Sequence, residues 1–257
     1  MLSRPTGFEE SGVYSLTVDS LKQGRVVGQF DRKFILMVVE SENDQQMFEE
    51  PYPNSQLHGY KHLYIFAVDQ HAAHERVLLE CYERECLNYF EILSNRATHE
   101  TLHSRKTSLI ICRQSFADVS DLIKHGQHSL NRLSEFGFLA YVNYSSTEQA
   151  IHVTKIPKVI PQNGISEKLL KRAIIDCIRV ILLNKESKIK IIQNIMQVIL
   201  PLLKTRACHQ AVRFGSKLDT KQMEKLIVEL SKCRIPFQCA HGRPTCNLIK
   251  IVNEEVN

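Results

Sequence analysis

The sequence predicts an α+β protein that divides into two lobes. Two β-rich runs, Arg25–Phe30 and Phe34–Val39, are separated by the polar step Asp31–Lys33, which predicts a hairpin. Two long apolar-periodic stretches, about 166–183 and 188–203, predict helices. Because a single hydrophobic core usually stops growing near roughly 250 to 300 residues, a chain of 257 residues favours two lobes.

The remaining elements follow from apolar runs and turn residues. Residues 41–60 are rich in Ser, Asn, Glu and Pro and predict a long exposed loop. A strand at 63–68 ends at Asp69 and leads into a helix over 72–93. Further along, we expect a strand at 108–112, a helix at 117–136, strands at 138–144 and 150–156, a short helix near 206–214, a helix at 219–233 capped by Asp219 or Thr220, and a final strand at 248–252.

Composition excludes several classes of protein. With 43% hydrophobic and 24% charged residues, the chain is neither disordered nor of low complexity. It lacks a run of roughly 18 apolar residues, and its first thirty residues lack the pattern of a secretory signal, so neither a membrane span nor export is predicted. Eight irregularly spaced cysteines predict free thiols in a reducing compartment, some of them available as metal ligands. The net charge of +5 is compatible with contact to phosphate groups but does not by itself predict such contact.

One cluster of polar residues follows the third predicted strand. If a helix starts near His71, then His71 and Glu75 lie on one face, so that an imidazole and a carboxylate can converge on one cation. Asp69 can approach the same point from the strand end. The alternative is an Asp that caps the helix, followed by exposed His and Glu on a solvated face.

A second cluster lies near the carboxyl end of the chain. Cys239 and His241 are alternate residues of an extended segment, so sulfur and nitrogen can point to one side, and Gly242 lets the backbone turn. This pair is a candidate half-site for zinc. The alternative is a small buried Cys and a His that is satisfied by backbone groups.

Cys208 is a third candidate ligand. It follows Lys204 and Arg206, and nearby positive charge favours a thiolate, although an ordinary cysteine in a helix core is the alternative. With the two clusters, the candidate donors exceed the four of one closed zinc site and indicate two metals or one open site. Oxygen donors suit Mg²⁺ or Mn²⁺, whereas sulfur and nitrogen donors suit Zn²⁺.

These motifs together resemble the endonuclease region of MutL-type DNA mismatch-repair proteins. Asp69-Gln-His-Ala-x-x-Glu75, followed by Glu80, is similar to that family's acidic signature. Ala207-Cys-His209 is similar to its A-C-R or A-C-H motif, and Cys239-Ala-His-Gly-Arg-Pro244 to its C-P-H-G-R-P motif. The A-C-H form, and Ala240 where many members have proline, are closest to the nuclease subunit of the eukaryotic MutL-gamma heterodimer.

The resemblance implies a metal-dependent endonuclease that nicks one strand of duplex DNA in mismatch repair and in meiotic recombination, during crossover formation. Asp69 would be the catalytic residue, whereas the helical offset of Glu80 from Glu75 predicts that Glu80 either supports the ligands from outside or is structural. The implied metals are Zn²⁺ in the site and Mn²⁺ or Mg²⁺ for catalysis. The implied metal ligands are Asp69, His71, Glu75, Cys208, Cys239 and His241.

The resemblance also implies an organisation and partners. Residues 1–93 and 201–257 would form a discontinuous dimerisation lobe with the metal site, and residues 94–200 an inserted α/β regulatory lobe. The chain would be a C-terminal region that acts in the nucleus with an obligate MutL-homologue partner subunit on duplex DNA. A sliding clamp is a weaker candidate partner, because the clamp-like string Gln197–Pro201 has the spacing of an ordinary helix core.

Two other functions fit some of the same residues. The first is a non-catalytic heterodimerisation module that a structural zinc stabilises. The second is a metalloprotease, which the sequence disfavours because Leu78 stands where the second His of an H-E-x-x-H motif would follow His74-Glu75.

Overall fold

The computed structural model describes residues 17–41, 60–95, 104–112, 126–144 and 149–255. In chain order, its elements are α1 (Val18–Gln23), β1 (Arg25–Phe30), β2 (Phe34–Ser41), β3 (Tyr60–Asp69), α2 (Gln70–Asn95), β4 (Ser104–Cys112), α3 (Gly126–Ser134), β5 (Leu139–Tyr144), β6 (Gln149–Pro157), α4 (Glu167–Leu183), α5 (Lys188–Gln210), α6 (Thr220–Ser231) and β7 (Cys246–Glu255). Helices combined with antiparallel sheets confirm the predicted α+β class. None of the helices in these ranges is both long and apolar enough to cross a membrane.

The chain divides into two compact units. The first unit joins residues 1–78 with residues 210–257, and the second comprises residues 79–209. The first unit is therefore built from both ends of the sequence. The lobe boundaries and lobe functions that the family resemblance implies stay a prediction.

The first unit contains a four-stranded antiparallel sheet in the order β1-β2-β3-β7. The predicted hairpin is confirmed, with Arg25 paired to Val38 and Phe30 to Phe34. Its turn places Asp31 and Arg32 in the left-handed region, at φ of 50° and 49°. The predicted third strand and the strand-to-helix junction at Asp69 are also confirmed.

One face of this sheet forms the core of the first unit. Alternate residues of β2 and β3 are almost completely buried, because successive side chains of a strand point to opposite faces. Helix α6 packs its apolar stripe against them. The buried residues include Ile35, Met37, Val39, Tyr64, Phe66 and Val68 from the strands and Met223, Leu226, Ile227 and Leu230 from α6.

The second unit contains a three-stranded antiparallel sheet in the order β4-β6-β5. Its helices α4 and α5 bury residues at helical spacing, such as Ile174, Ile178 and Ile181 in α4. The side chains of Ile199 and Leu202 in α5 are fully buried, so the string at 197–201 lies within a packed helix.

One predicted element is wrong, and two others lie partly outside the described ranges. The short helix near 206–214 is wrong, because residues 206–210 continue α5 and residues 211–214 are not helical. Pro201 removes one backbone donor inside α5, but Leu202, Leu203 and Ala207 are fully buried, and their packing keeps the helix continuous. The ends of the predicted loop at 41–60, Ser41 and Tyr60, belong to β2 and β3, whereas the rest of that loop and the start of the helix at 117–136 lie outside the described residues.

The predicted cap of α6 is confirmed at Asp219. The Asp219 carboxylate accepts a hydrogen bond from the backbone N–H of Gln222 at 2.8 Å, and the Gln222 side chain accepts one from the backbone N–H of Asp219 at 2.9 Å. This reciprocal pair is a capping box, which satisfies two backbone donors that the start of a helix leaves without partners.

Candidate metal centre in the first unit

Asp69 is the last residue of β3 and caps helix α2. Its Oδ1 accepts hydrogen bonds from the backbone N–H groups of His71 and Ala72, both at 2.9 Å. Its own backbone N–H donates to the carbonyl oxygen of Thr245 at 2.8 Å, just before β7. Asp69 therefore has the structural role that the sequence left open as an alternative, and its catalytic role stays a prediction.

His71 and Glu75 lie one helical turn apart at the start of α2. The distance between Nε2 of His71 and Oε2 of Glu75 is 3.7 Å. On the other side of the ring, Nδ1 of His71 is 2.9 Å from the backbone carbonyl oxygen of Val212. A carbonyl oxygen can only accept, so this hydrogen bond requires the proton on Nδ1. In the neutral imidazole, Nε2 then carries the lone pair that a metal needs.

Residues 238–244 form a tight loop that presents Cys239 and His241. The backbone N–H of Cys239 donates to the carbonyl of Arg243 at 2.8 Å, and the backbone N–H of Gly242 donates to the carbonyl of Cys239 at 3.1 Å. Gly242 has a φ of 84°, a left-handed conformation that glycine adopts without steric cost. The backbone N–H of His241 donates to Sγ of Cys239 at 3.3 Å, which orients the sulfur.

The loop brings Cys239 and His241 to the carboxylate of Glu75. One potential ligand atom from each of these three residues lies within 4.8 Å of the other two. Oε1 of Glu75 is 2.5 Å from Nδ1 of His241. The Glu75 side chain is almost completely buried, whereas that of His241 is 49% exposed, so the cluster opens to solvent on the histidine side.

The Glu75 carboxylate needs a compensating positive charge. Its buried Oε1 is close to Nδ1 of His241, but this contact does not have hydrogen-bond geometry, and no other described residue donates to Oε1. A buried charge without hydrogen bonds is unfavourable unless a cation or a metal balances it. Nitrogen, sulfur and oxygen donors from three residues match the three protein ligands of an open zinc site. Glu75, Cys239 and His241 therefore fit a divalent cation.

Cys208 lies in the last turn of α5 and is half-buried. It belongs to the second unit, whereas the other predicted ligands belong to the first. Its role as a ligand therefore stays a prediction that rests on the Ala207-Cys-His209 motif.

Arg76 is a positioning residue that the sequence analysis missed. Its side chain is buried, and its Nε and Nη2 donate to the backbone carbonyls of Gln238 and Cys239 at 2.5 and 2.8 Å. It thereby ties α2 to the loop that carries Cys239 and His241. The only sequence signal was its position directly after Glu75.

Gln70 is a second residue that the sequence analysis missed, although it lies inside the acidic motif. Its side chain is fully buried, and its Nε2 donates to the carbonyls of Arg32 and Arg213 at 2.9 and 3.0 Å. Its Oε1 accepts from Nε2 of Gln29 at 2.6 Å. Gln70 thus joins the β1–β2 hairpin to the backbone that follows α5.

His74 faces a different part of the first unit. Its Nδ1 accepts a hydrogen bond from the backbone N–H of Val212 at 3.0 Å, so that nitrogen is unprotonated. Burial lowers the pKa of His74, and the Glu229 carboxylate opposes this shift. The neutral form is therefore the one that the surroundings favour.

The fold and this cluster define an α+β protein with a candidate metal centre, and comparison with known proteins identifies its relatives. The chain is 29% identical over 238 residues to the DNA mismatch repair protein MutL of Carboxydothermus hydrogenoformans. The matched region covers 90% of the chain and 31% of that protein. It is 31% identical over 201 residues to MutL of Desulforamulus reducens, covering 77% of the chain and 26% of that protein. It is 25% identical over 244 residues to human DNA mismatch repair protein Mlh3, covering 90% of the chain and 15% of that protein. No family model matches the chain.

The homologues of the chain are therefore MutL and Mlh3 DNA mismatch-repair proteins, at identities of 25 to 31%. The chain spans less than a third of the length of these relatives.

Proposed function

We propose that this chain is the endonuclease subunit of a MutL-type mismatch-repair complex and nicks one strand of duplex DNA in a metal-dependent reaction. The observation that carries the proposal is the buried Glu75 carboxylate, which meets Cys239 and His241 and has one oxygen without a hydrogen bond among the described residues. The names of the relatives support a role in mismatch repair.

Each predicted ligand has a role in this proposal. Glu75, Cys239 and His241 would hold Zn²⁺, and His71 would offer Nε2 beside Glu75. Asp69 would hold the catalytic Mn²⁺ or Mg²⁺, because oxygen donors suit these hard cations. When bound, a divalent cation supplies a Lewis acid that stabilises negative charge on phosphoryl oxygens and activates water.

Cys208 would complete the set of zinc ligands. Its support is the resemblance of Ala207-Cys-His209 to the family motif. We expect Cys208→Ser to lower the zinc content of the purified protein, whereas Cys233→Ser, at another half-buried thiol, should leave it unchanged. Equal zinc content in both variants would remove Cys208 from the proposed site.

Asp69→Asn tests the proposed activity. Asn keeps a side-chain oxygen for the N–H groups of His71 and Ala72, and Asn and Asp are comparable helix caps. The cap of α2 should therefore persist in Asp69→Asn. The negative charge that would bind a cation is lost. In the full-length protein with its partner, we expect Mn²⁺-dependent nicking of supercoiled plasmid to be abolished while zinc content and thermal midpoint stay unchanged. Asp219→Asn, at the cap of α6, is the matched control.

A non-catalytic, zinc-stabilised heterodimerisation module is the second candidate function. The observation that favours it is that Asp69 caps α2 and is not one of the three residues that cluster at Glu75. A structural zinc can contribute on the order of 10 kcal/mol to folding, enough to explain the ligands without catalysis. In the complex with the partner, nicking by Asp69→Asn at the rate of the unmodified protein would show that Asp69 is not catalytic and would favour this module.

We also propose that the outer face of the first unit's sheet binds a MutL-homologue partner subunit. Leu36, Val38 and Ile65 are apolar but only partly buried, and Val38 pairs with Ile65 across β2 and β3. A contiguous apolar strip of this kind is typical of protein–protein interfaces. We expect Val38→Glu to prevent co-purification with the partner, whereas Val228→Glu on exposed α6 surface should not.

Within the family, we propose the meiotic-recombination branch and a nuclear location. Support comes from Ala240 and the A-C-H motif, together with matches to human Mlh3 and to yeast MLH3 at 25% and 23% identity. Deletion of the gene should then lower meiotic crossover frequency more strongly than it raises the mitotic mutation rate. Tagged full-length protein should be found in meiotic nuclei.

A further inference from the structure

A second site lies in the first unit, outside the residues of the candidate metal centre. A cavity of about 870 Å³ opens between the β1–β2 turn and the segment at 214–218. Its polar lining includes Gln29, Asp31, Arg32, Lys33 and Lys217. The cavity is therefore large enough for part of a polymer or for a small ligand.

The charge of this cavity is positive. Three cationic side chains line it, against the single carboxylate of Asp31. That carboxylate is already paired, because Nζ of Lys33 lies 2.6 Å from its Oδ2. Arg32 and Lys217 have no ion-pair partner within the ranges that the structure describes. Two cations therefore remain available to an anionic ligand.

The backbone that carries Arg32 is held in place. The carbonyl oxygen of Arg32 accepts one hydrogen bond from Nε2 of Gln70 and another from the backbone N–H of Gly215, each at 2.9 Å. Nε2 of Gln29 donates to the carbonyl of Ser216 at 2.8 Å. The side-chain amides of buried Gln70 and partly buried Gln29 thus tie the two walls of the cavity together, so the site needs little ordering when a ligand binds.

The same contacts place the cavity beside the candidate metal centre. Gln70 lies between Asp69 and His71 in the sequence, and its side chain holds the cavity wall. The ring of Phe214, which is 51% exposed, contacts the His71 ring with a centroid distance of 5.8 Å. An exposed aromatic ring beside cations suits the sugars and bases of a nucleic acid, which present apolar faces between phosphates.

We propose that this cavity binds the phosphodiester backbone of DNA next to the metal centre, with Arg32 and Lys217 contacting phosphates. The inference rests on the proposed function, because it names the place where that substrate is held. Phosphate contacts position a duplex without reading its sequence. The cavity would therefore orient the strand that approaches His71 and Glu75.

Binding of DNA by a double variant tests this proposal. The probe is a fluorescein-labelled duplex of about 30 base pairs, and fluorescence anisotropy is measured with the 257-residue chain in its zinc-containing form, without added Mn²⁺ or Mg²⁺. Arg32→Gln combined with Lys217→Gln removes the two charges but keeps long side chains. Lys221→Gln combined with Lys232→Gln removes two charges from exposed positions outside the cavity lining and is the matched control.

We expect the cavity variant to raise the Kd on the order of ten-fold at moderate salt, because each phosphate contact contributes to counterion release. The slope of log Kd against log salt concentration should fall by about 1.8, the value for two contacts on duplex DNA. The control should change both quantities clearly less. Equal effects of the two double variants, or no effect of either, would overturn the proposal, as would failure of the unmodified chain to bind DNA.

The outcome of this DNA-binding experiment can be distinguished from the outcome of the nicking experiment with Asp69→Asn. If Asp69→Asn abolishes nicking while the cavity variant binds DNA like its control, the cavity proposal fails and the proposed function stands. If Asp69→Asn nicks normally while the cavity variant loses binding, Asp69 is not catalytic, the proposed endonuclease site fails, and the cavity remains a DNA-binding site.

Discussion

The Arg76 guanidinium donates from Nη2 to the backbone carbonyl of Cys239 at 2.8 Å, across 163 positions of sequence. Its Nε donates to the adjacent carbonyl of Gln238. One side chain therefore holds two successive peptide groups of the loop that carries Cys239 and His241. Because Glu75 precedes Arg76 on α2, the same contact fixes the distance between the carboxylate and the other two candidate ligands.

Arg76→Lys should weaken metal binding without changing any candidate ligand. A lysine has one nitrogen and cannot reproduce the planar fork that reaches both carbonyls. Loss of a residue that orients metal ligands typically lowers metal affinity by about 10- to 100-fold. The measurement is zinc transfer to a competing chromophoric chelator. Arg84→Lys, at an exposed position of α2, is the control, and equal zinc affinity of both variants would contradict the assigned role.

Asp69→Ala should destabilise the protein by about 1 kcal/mol, the usual cost of losing an N-cap. The cost arises because the backbone N–H groups of His71 and Ala72 lose their acceptor. Asp69→Asn should leave the free energy of unfolding nearly unchanged. Urea denaturation of both variants measures the difference. If Asn were as destabilising as Ala, the negative charge rather than the cap would be what Asp69 contributes to folding.

Gln70→Glu should be strongly destabilising, although the two side chains have almost the same shape. The buried amide nitrogen donates to the carbonyls of Arg32 and Arg213, and a carboxylate would place oxygen against oxygen there. Leaving such buried groups without partners costs about 1 to 3 kcal/mol each. The thermal midpoint of Gln70→Glu, compared with that of the unmodified protein, measures the effect.

The control for Gln70→Glu is the same chemical change at Gln222. That exposed side chain accepts a hydrogen bond from the backbone N–H of Asp219, and a Glu can accept it equally well in a capping box. We expect Gln222→Glu to leave the thermal midpoint nearly unchanged. A comparable decrease at both positions would show that the Gln70 hydrogen bonds are not the cause.

Thiol reactivity should distinguish Cys86 from Cys81 on the same helix. Burial raises the pKa of Cys86 from an ordinary 9.0 to about 12, and the Glu85 carboxylate adds to the shift. At pH 8 only about one Cys86 side chain in 10⁴ would be a thiolate, which is the reactive form. We expect N-ethylmaleimide to label half-buried Cys81 and to spare Cys86 in the native protein, as mass spectrometry of peptides can show. In urea both should be labelled, and equal labelling in the native state would contradict the prediction.

Local patterns predicted much of the fold. The β1–β2 hairpin, the strand that ends at Asp69 and the cap at Asp219 all depend on residues close together in sequence, and all three agree with the structure. The predicted helix end near residue 203 was wrong because that prediction, too, used only residues close together in sequence. Local reasoning ended the helix soon after Pro201, whereas the burial of Leu203 and Ala207 in the second unit continues it to Gln210.

The sequence by itself determined the chemistry that is available: which donors exist, which metals they suit, and which family the motifs resemble. Only the tertiary structure decided that the Glu75 carboxylate is buried against Cys239 and His241. It also revealed the hydrogen bonds of Arg76 and Gln70. Propensity and periodicity act over a few residues, whereas burial, charge compensation and these hydrogen bonds depend on groups from 38 to 163 positions apart that meet only when the chain folds.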